Sequence, residues 1–338
     1  MSEQPRLEEK ALLGEAEERA AFQVGGREEK LNPVQQLAQI GTYVDAHHPM
    51  PELIAPWVEN KQPSSPAEAV DNYLARLPDR LTHSAMLMLG SGLDHSMPGV
   101  SFLGNIQIET HPDINSTIML PSNPNGHWAI SLHGGQFWFG SGSALEFQWQ
   151  PEIAGLAERS GTTIIDVDYP LAPSAHIDEM LESVAAAAAY ACANTNFPLS
   201  LVGFEAGAAL AVLSSRHIND VFGADTVEKL ALMFPDFSAF AELPERFRGS
   251  YNLPAPEHWP HTFWQIAGTE PTRVQGLAGS REVELPPHVR KKEYVSRQWI
   301  STPEVARERI ADLAEFLRNP VEEQGNIQGN ITDSASPS

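Results

Sequence analysis

The sequence predicts an α/β fold in which a mostly parallel central sheet carries helices on both faces. Strand-like apolar runs alternate with amphipathic helical stretches between residues 129 and 318. Such alternation is typical of parallel sheets, because each crossover between parallel strands needs a helix-sized connection. A chain of 338 residues, of which 42% are hydrophobic and 20% charged, is also long and apolar enough to bury the core of such a sheet.

The predicted elements follow one another at short spacing along this part of the chain. We expect strands over Ala129–Leu132, Thr162–Val167, Leu199–Val202, Leu230–Phe234, Thr262–Ile266 and Val289–Val295. We expect helices over Leu145–Ser160, Ile177–Ala193, Ala206–His217 and Pro303–Arg318. The last helix has the clearest start, with Thr302 as its N-cap residue and proline at its first position.

The regions outside this core differ in composition. From Leu31 to Val44, apolar residues recur at helical spacing, and Ser64-Ser65-Pro66 is a second helix-start signal. We therefore predict a flexible or helical arm over residues 1–30, a helical cap and lead-in over 31–100, the α/β core over 101–318, and a disordered tail over 319–338.

Charge and cysteine content exclude several classes of protein. The formal net charge is −22, from 44 acidic and 22 basic residues, whereas nucleic acids and anionic membranes are bound by basic faces. We therefore expect neither as a partner. A single cysteine, Cys192, excludes an intramolecular disulfide and any multi-cysteine metal site. No signal peptide or long apolar span is visible, so a cytoplasmic location is expected, with no metal and no cofactor.

The loops after the strands are where chemistry is expected, because ligands of parallel sheets bind beyond the carboxyl ends of the strands. After the first of these strands, His133 is followed by Gly134 and Gly135. Consecutive glycines there can direct backbone N–H groups into a cleft, as an oxyanion hole requires, although a plain tight turn is the alternative. The third strand ends in a strand-to-helix turn with Gly203 and Gly207 on either side of Glu205.

Three ordered segments, HGGQFWFGS from residue 133, DYPLAPS from residue 168 and GFEAGAALA from residue 203, together resemble the hormone-sensitive-lipase-like branch of the α/β-hydrolases. That branch has an HGGG-type oxyanion loop, a DYRLAPE-like segment and a GDSAGG nucleophile elbow. The resemblance spans roughly residues 31–318, with the N-terminal helices in the place of the branch's cap. It implies the α/β-hydrolase fold and, where the triad is intact, hydrolysis of carboxylic esters.

The resemblance also assigns positions to the site residues. At the catalytic positions stand Glu205 at the nucleophile elbow, Glu270 at the acid and Arg297 near the histidine. The oxyanion hole would be formed by Gly134, Gly135 and Ala206, and the binding residues would be His133, Phe137 and Trp138. Of these, His133 is expected mainly to orient the loop backbone, whereas core packing explains the two aromatic residues as well as a lipophilic pocket does.

The departures from the family pattern lie where the chemistry should be. Glu205 replaces the elbow serine, and no histidine follows His288, which falls at the wrong end of the last strand. We therefore predict a catalytically degenerate hydrolase that acts by binding a partner or a small apolar or ester-like ligand. The alternative is an active ester hydrolase with an atypical nucleophile or base, and a third reading is a scaffold whose cleft is filled by side chains.

Glu205 itself admits two structural hypotheses. At the start of a helix, and close to the glycine loop, its carboxylate would accept backbone N–H groups and fill the oxyanion hole as a plug. The neighbourhood of Arg297 would then supply a counter-charge. In the alternative, Glu205 points out of an open cleft into water.

Overall fold

The computed structural model describes residues 31–58, 66–89, 94–98, 105–270 and 285–321. The predicted arm over 1–30 and nearly all of the predicted tail over 319–338 lie outside the described residues. The described part contains helices α1 Pro33–His47, α2 Ala67–Ala75, α3 Leu77–Met88, α4 Gln150–Ser160, α5 Ile177–Asn194, α6 Ala206–Phe222, α7 Phe237–Glu242, α8 Glu245–Arg248 and α9 Pro303–Arg318.

The strands are β1 Gln107–His111, β2 Ser116–Leu120, β3 Trp128–Leu132, β4 Thr163–Val167, β5 Leu199–Phe204, β6 Val227–Met233, β7 His261–Ala267 and β8 Val289–Tyr294. They form one sheet in the order β1-β2-β4-β3-β5-β6-β7-β8. From β4 to β8 along this order, neighbouring strands are parallel, whereas β1–β2 and β2–β4 are antiparallel. Six strands are those predicted from the sequence, and the hairpin of β1 and β2 was not foreseen.

Helices cover both faces of the sheet. One core cluster joins the sheet to α5, α6 and α7, and the other joins it to α4, α9 and the N-terminal helices α1, α2 and α3. Every residue of the central strand β5 is buried, which explains why its sequence, LSLVGF, is mostly apolar and does not alternate with exposed polar residues. The predicted fold class is confirmed.

Capping residues mark where two of the helices begin. The Thr302 side chain accepts the Val305 N–H at 3.3 Å, so the predicted cap of α9 is confirmed. At the start of α1, Asn32 and Gln35 form a reciprocal capping box. The stretch predicted as one helix from residue 145 begins with a five-residue π-helical segment, Leu145–Trp149, before α4. Among the described residues, no helix has the length and apolar character needed to cross a bilayer.

Candidate functional site

The elbow residue Glu205 lies in the turn between β5 and α6. Its backbone has φ 51° and ψ −117°, a conformation that residues with a side chain rarely adopt. Three backbone hydrogen bonds hold it there: its N–H donates to Met233 O at 3.0 Å, and its carbonyl accepts from Ala208 and Asp236, both at 3.1 Å. These hydrogen bonds hold the strained backbone of Glu205 in place, as strained turns require.

The two glycines that flank this turn are required by close backbone contacts. A Cβ added to Gly203 would lie 2.5 Å from the Gly207 carbonyl oxygen, and one added to Gly207 would lie 2.3 Å from that of Leu132. Real side-chain carbons do not approach oxygen so closely. The G-x-E-x-G pattern thus lets α6 start directly against β3 and β5.

The carboxylate of Glu205 lies against the glycine loop. Gly135, at φ +122°, donates its N–H to Glu205 Oε2 at 2.7 Å, and a Cβ on Gly134 would meet the same oxygen at 2.7 Å. Only 1% of Glu205 is exposed, so the hypothesis that its side chain projects into water is wrong. Ala206, the first residue of α6, is fully buried beside it.

His133 fixes the conformation of the glycine loop. Its Nδ1–H donates to the Gly134 carbonyl at 2.6 Å, and its ring stacks on Tyr169 with centroids 4.2 Å apart. The Tyr169 hydroxyl donates to the His133 carbonyl at 2.7 Å. Burial lowers the pKa of His133, against the opposing influence of Asp168. These contacts tie the His133 ring and carbonyl to the backbone of the loop and to Tyr169.

Phe137 and Trp138 are buried in the two core clusters. Phe137 packs edge-on against Phe240, and Trp138 packs edge-on against Phe139. Neither lines the cavities described below. Of the two explanations left open by the sequence, the structure favours core packing over a ligand pocket.

The acid position and the turn after β8 are brought together. Glu270 Oε2 accepts the backbone N–H of Gln298 at 3.1 Å, and the Gln298 side chain donates to the Phe234 carbonyl at 2.6 Å. Arg297 donates to Asp45 of α1 at 2.7 Å. The residue of this turn that contacts Glu270 is therefore Gln298, through its backbone N–H. Motif spacing alone could not locate it, because the length of the turn after β8 sets which residue meets the acid.

Among the described residues, two small cavities lie beside the elbow. Two cavities reach Phe204, one of about 30 Å³ and one of about 10 Å³, whereas ligand pockets usually measure about 300–1,000 Å³. A groove of about 380 Å³ lies at the other edge of the sheet, where β7 and β8 begin, and His261 and His288 line it. His288 immediately precedes β8. It therefore lies at the end of the sheet opposite to the elbow, as expected from the sequence. No cluster of three metal-ligating side chains occurs within the described ranges.

Comparisons with known proteins agree with this architecture. Residues 129–275 match the profile of a family described as alpha/beta hydrolase fold. No curated protein sequence matches the chain.

Solved structures of similar fold include a hyperthermophilic esterase from the archaeon Pyrobaculum calidifontis, at 17% identity and a TM-score of 0.53, covering 75% of this chain and 93% of that one. An esterase of the bacterial hormone-sensitive lipase family has 16% identity and a TM-score of 0.51, covering 85% and 99%. An arylesterase has 15% identity and a TM-score of 0.54, covering 86% and 99%. At these identities the likeness concerns the fold.

The strand order, the elbow between β5 and α6 and the family match lead to one conclusion. This chain has the α/β-hydrolase fold, and residues 129–275 carry its similarity to that family.

Proposed function

We propose that this protein is a pseudo-hydrolase, which uses an esterase-like scaffold for binding a ligand or partner and does not cleave esters. The observation that carries the proposal is the 2.7 Å hydrogen bond from the Gly135 N–H to Glu205 Oε2. In an acyl-transfer enzyme, the loop N–H would be directed at the oxyanion of the transition state. Here the same donor is engaged by a carboxylate of the protein itself.

The remaining catalytic positions support the same proposal. In the turn after β8, Glu270 accepts the backbone N–H of Gln298, whose side-chain amide donates instead to the Phe234 carbonyl. Neither this amide nor the Arg297 guanidinium takes up a proton near neutral pH, as the base of a triad must. A carboxylate nucleophile at Glu205 would still need a base to activate the water that clears a covalent ester. In triad hydrolases, loss of the nucleophile or of the histidine lowers turnover by about 10⁶-fold.

Two observations favour the alternative of an active ester hydrolase. The fold neighbours are described as esterases, and Glu270 is held against the turn after β8 in an arrangement that a catalytic acid could use. If this alternative holds, turnover should depend on Glu205 or Glu270.

The test is hydrolysis of p-nitrophenyl butyrate by the purified full-length chain. We expect no turnover above that of heat-inactivated protein. The variants Glu205→Ala and Glu270→Ala are compared with Glu146→Ala, which changes an exposed glutamate. Turnover by the unmodified protein that disappears in Glu205→Ala or Glu270→Ala, but persists in Glu146→Ala, would overturn the proposal.

A further inference from the structure

A groove of about 380 Å³ lies at the amino ends of β6, β7 and β8, at the end of the sheet opposite to the elbow. Its volume falls within the range of about 300–1,000 Å³ that is usual for small-ligand pockets. The two cavities near Glu205 are far smaller, and no residue that lines either of them lines this groove. The groove is therefore a candidate ligand site that does not include the elbow.

Strand register brings cationic and aromatic side chains to one face of the sheet in this groove. Lys229 of β6 pairs with His261 of β7, and Phe263 of β7 pairs with Arg290 of β8. Paired residues of neighbouring strands, and every second residue along one strand, project from the same face. The Phe316 ring of α9 packs on Phe263 with centroids 5.7 Å apart. The last turn of α9 therefore forms the wall above these strands.

Arg290 presents a guanidinium group in this groove. Its guanidinium carbon lies 4.6 Å from the centre of the Phe263 ring, and such stacking holds the planar group in place. Among the described residues, Arg290 makes no hydrogen bond and no ion pair. Its five N–H donors are therefore available to a ligand, and a guanidinium group engages the oxygens of a phosphate group in pairs.

Two further side chains of the groove favour a ligand that accepts hydrogen bonds. The Nζ of the buried Lys229 donates to the carbonyls of Leu317 and Asn319, so its charge offsets the negative end of the α9 dipole. Burial lowers the pKa of His261, and its imidazole is therefore neutral at pH 7. The N–H that this ring retains has no acceptor within the described ranges.

Two carboxylates lie near these cations. Glu315 lines the groove but is exposed, so water screens its charge. Glu228 lies 3.7 Å from the Nζ of Lys229 and is not part of the wall. Neither carboxylate pairs with Arg290 in the part of the chain that the structure describes. The charge that remains available to a ligand is therefore the positive charge of Arg290.

We propose that this groove binds a small aromatic phosphate monoester. The Arg290 guanidinium holds two phosphate oxygens, and the ring N–H of His261 donates to the same group. The aromatic part of the ligand lies against the partly buried Phe316 and against Pro287, which line the same groove. A phosphate monoester carries nearly two negative charges at pH 7, so Arg290 and Lys229 attract it more strongly than they attract a singly charged anion.

The test is isothermal titration calorimetry of the purified full-length chain with phenyl phosphate at pH 7. Phenyl sulfate, which has the same shape and one negative charge, and inorganic phosphate, which has no ring, are the matched controls. We expect saturable binding of phenyl phosphate and affinities for both controls that are weaker by about tenfold. No saturable binding of phenyl phosphate, or equal affinity for either control, would overturn the proposal.

Variants locate the site. Arg290→Gln should weaken the binding of phenyl phosphate by about tenfold or more, because it removes a charged hydrogen-bond donor. Lys291→Gln changes the next residue of β8, which is exposed and does not line the groove, and should leave the affinity unchanged. Affinity that is unaffected by Arg290→Gln, or equally weakened by Lys291→Gln, would place the ligand elsewhere and overturn the proposal.

A change on the opposite wall tests the sign of the charge. Glu315→Gln removes an exposed carboxylate from the groove and should strengthen the binding of phenyl phosphate by about twofold. Weaker binding by this variant would contradict the proposal. Because none of these measurements involves ester cleavage or the elbow, their failure is distinct from that of the proposed function.

Discussion

The backbone N–H of Gly140 donates to Asp71 Oδ1 across 2.7 Å, which joins helix α2 to the loop that contains Gly134 and Gly135. Burial raises the pKa of Asp71 to about 6, an effect that the Gly140 hydrogen bond opposes and Asp168 reinforces. The contact between the N-terminal helices and the glycine loop therefore changes charge within the pH range in which the protein can be studied.

This titration predicts how stability depends on pH. The pKa of Asp71 is higher in the folded state than its ordinary value of 3.8. The folded state therefore keeps the proton of Asp71 to a higher pH than the unfolded state does. The resulting contribution to stability is present below the ordinary pKa and is lost as pH rises through about 6. Asp71→Asn should therefore flatten the fall in the free energy of unfolding between pH 4.5 and 7.5, as measured with urea. Asp79→Asn, an exposed change in α3, is the control, and equal pH slopes for the two variants would contradict the prediction.

The buried Asp166 in β4 should also make the protein less stable as pH rises, and more strongly than Asp71 does. It is fully buried, and burial raises its pKa to about 7, more than the nearby Ser131 and Gln150 side chains lower it. Above pH 7 the folded protein must hold a buried charge. We expect Asp166→Asn to stabilise the protein at pH 8 by about 2–4 kcal/mol and to have little effect at pH 4. Urea unfolding at pH 8 and pH 4 measures this difference. If Asp166→Asn is destabilised by the same amount at both pH values, the carboxylate has a structural role and the prediction is wrong.

Gly207 should be intolerant of a side chain. A Cβ there meets the carbonyl oxygens of Leu132 and His133 at 2.3 Å, and these belong to backbone that cannot move alone. Gly207→Ala should lower the free energy of unfolding by about 1–3 kcal/mol. Gly142→Ala is the comparison, because a Cβ at Gly142 has no neighbour within 4 Å although its φ is +58°. A smaller loss for Gly207→Ala than for Gly142→Ala in thermal unfolding would refute the clash.

The geometry also specifies which rescue of catalysis to attempt. Glu205→Ser releases the Gly135 N–H, and Gln298→His places an imidazole on the residue whose backbone N–H donates to Glu270. We expect the double variant to gain weak p-nitrophenyl butyrate hydrolysis, because the cavities near the elbow are small. The single variants are the controls. Turnover near 10 s⁻¹, typical of enzymes, would contradict this expectation and show that a substrate-sized pocket exists.

Sequence patterns predicted the parallel core well, because apolar residues dominate its inner strands, as in TIIDV of β4 and LSLVGF of β5. Helix α9 was predicted at its observed bounds, Pro303–Arg318. The hairpin of β1 and β2 escaped because β1 is a short, polar edge strand, QIETH, with four exposed residues. In such a strand, burial imposes no apolar pattern.

The candidate site was only partly readable from the sequence. Motif order placed Glu205 beside the glycine loop, because the elbow and the loop follow neighbouring strands, β5 and β3. Gln298 was not singled out, because its contact with Glu270 joins two loops whose shapes no periodic pattern encodes. The burial of Arg309 in α9 was not foreseen either, since a lone arginine on an amphipathic helix usually faces solvent.

Two opposing contributions to stability meet at Glu205: the strain of its positive φ and the hydrogen bond of its carboxylate. Glycine adopts a positive φ at no steric cost, so Glu205→Gly would release strain of about 1–3 kcal/mol. It would also remove a charged hydrogen bond worth about 1.5–3 kcal/mol. If the variant unfolds at a lower temperature, the carboxylate stabilises the turn by more than the turn strains the chain. If it unfolds at a higher temperature, the protein carries a side chain at this position at the expense of its own stability.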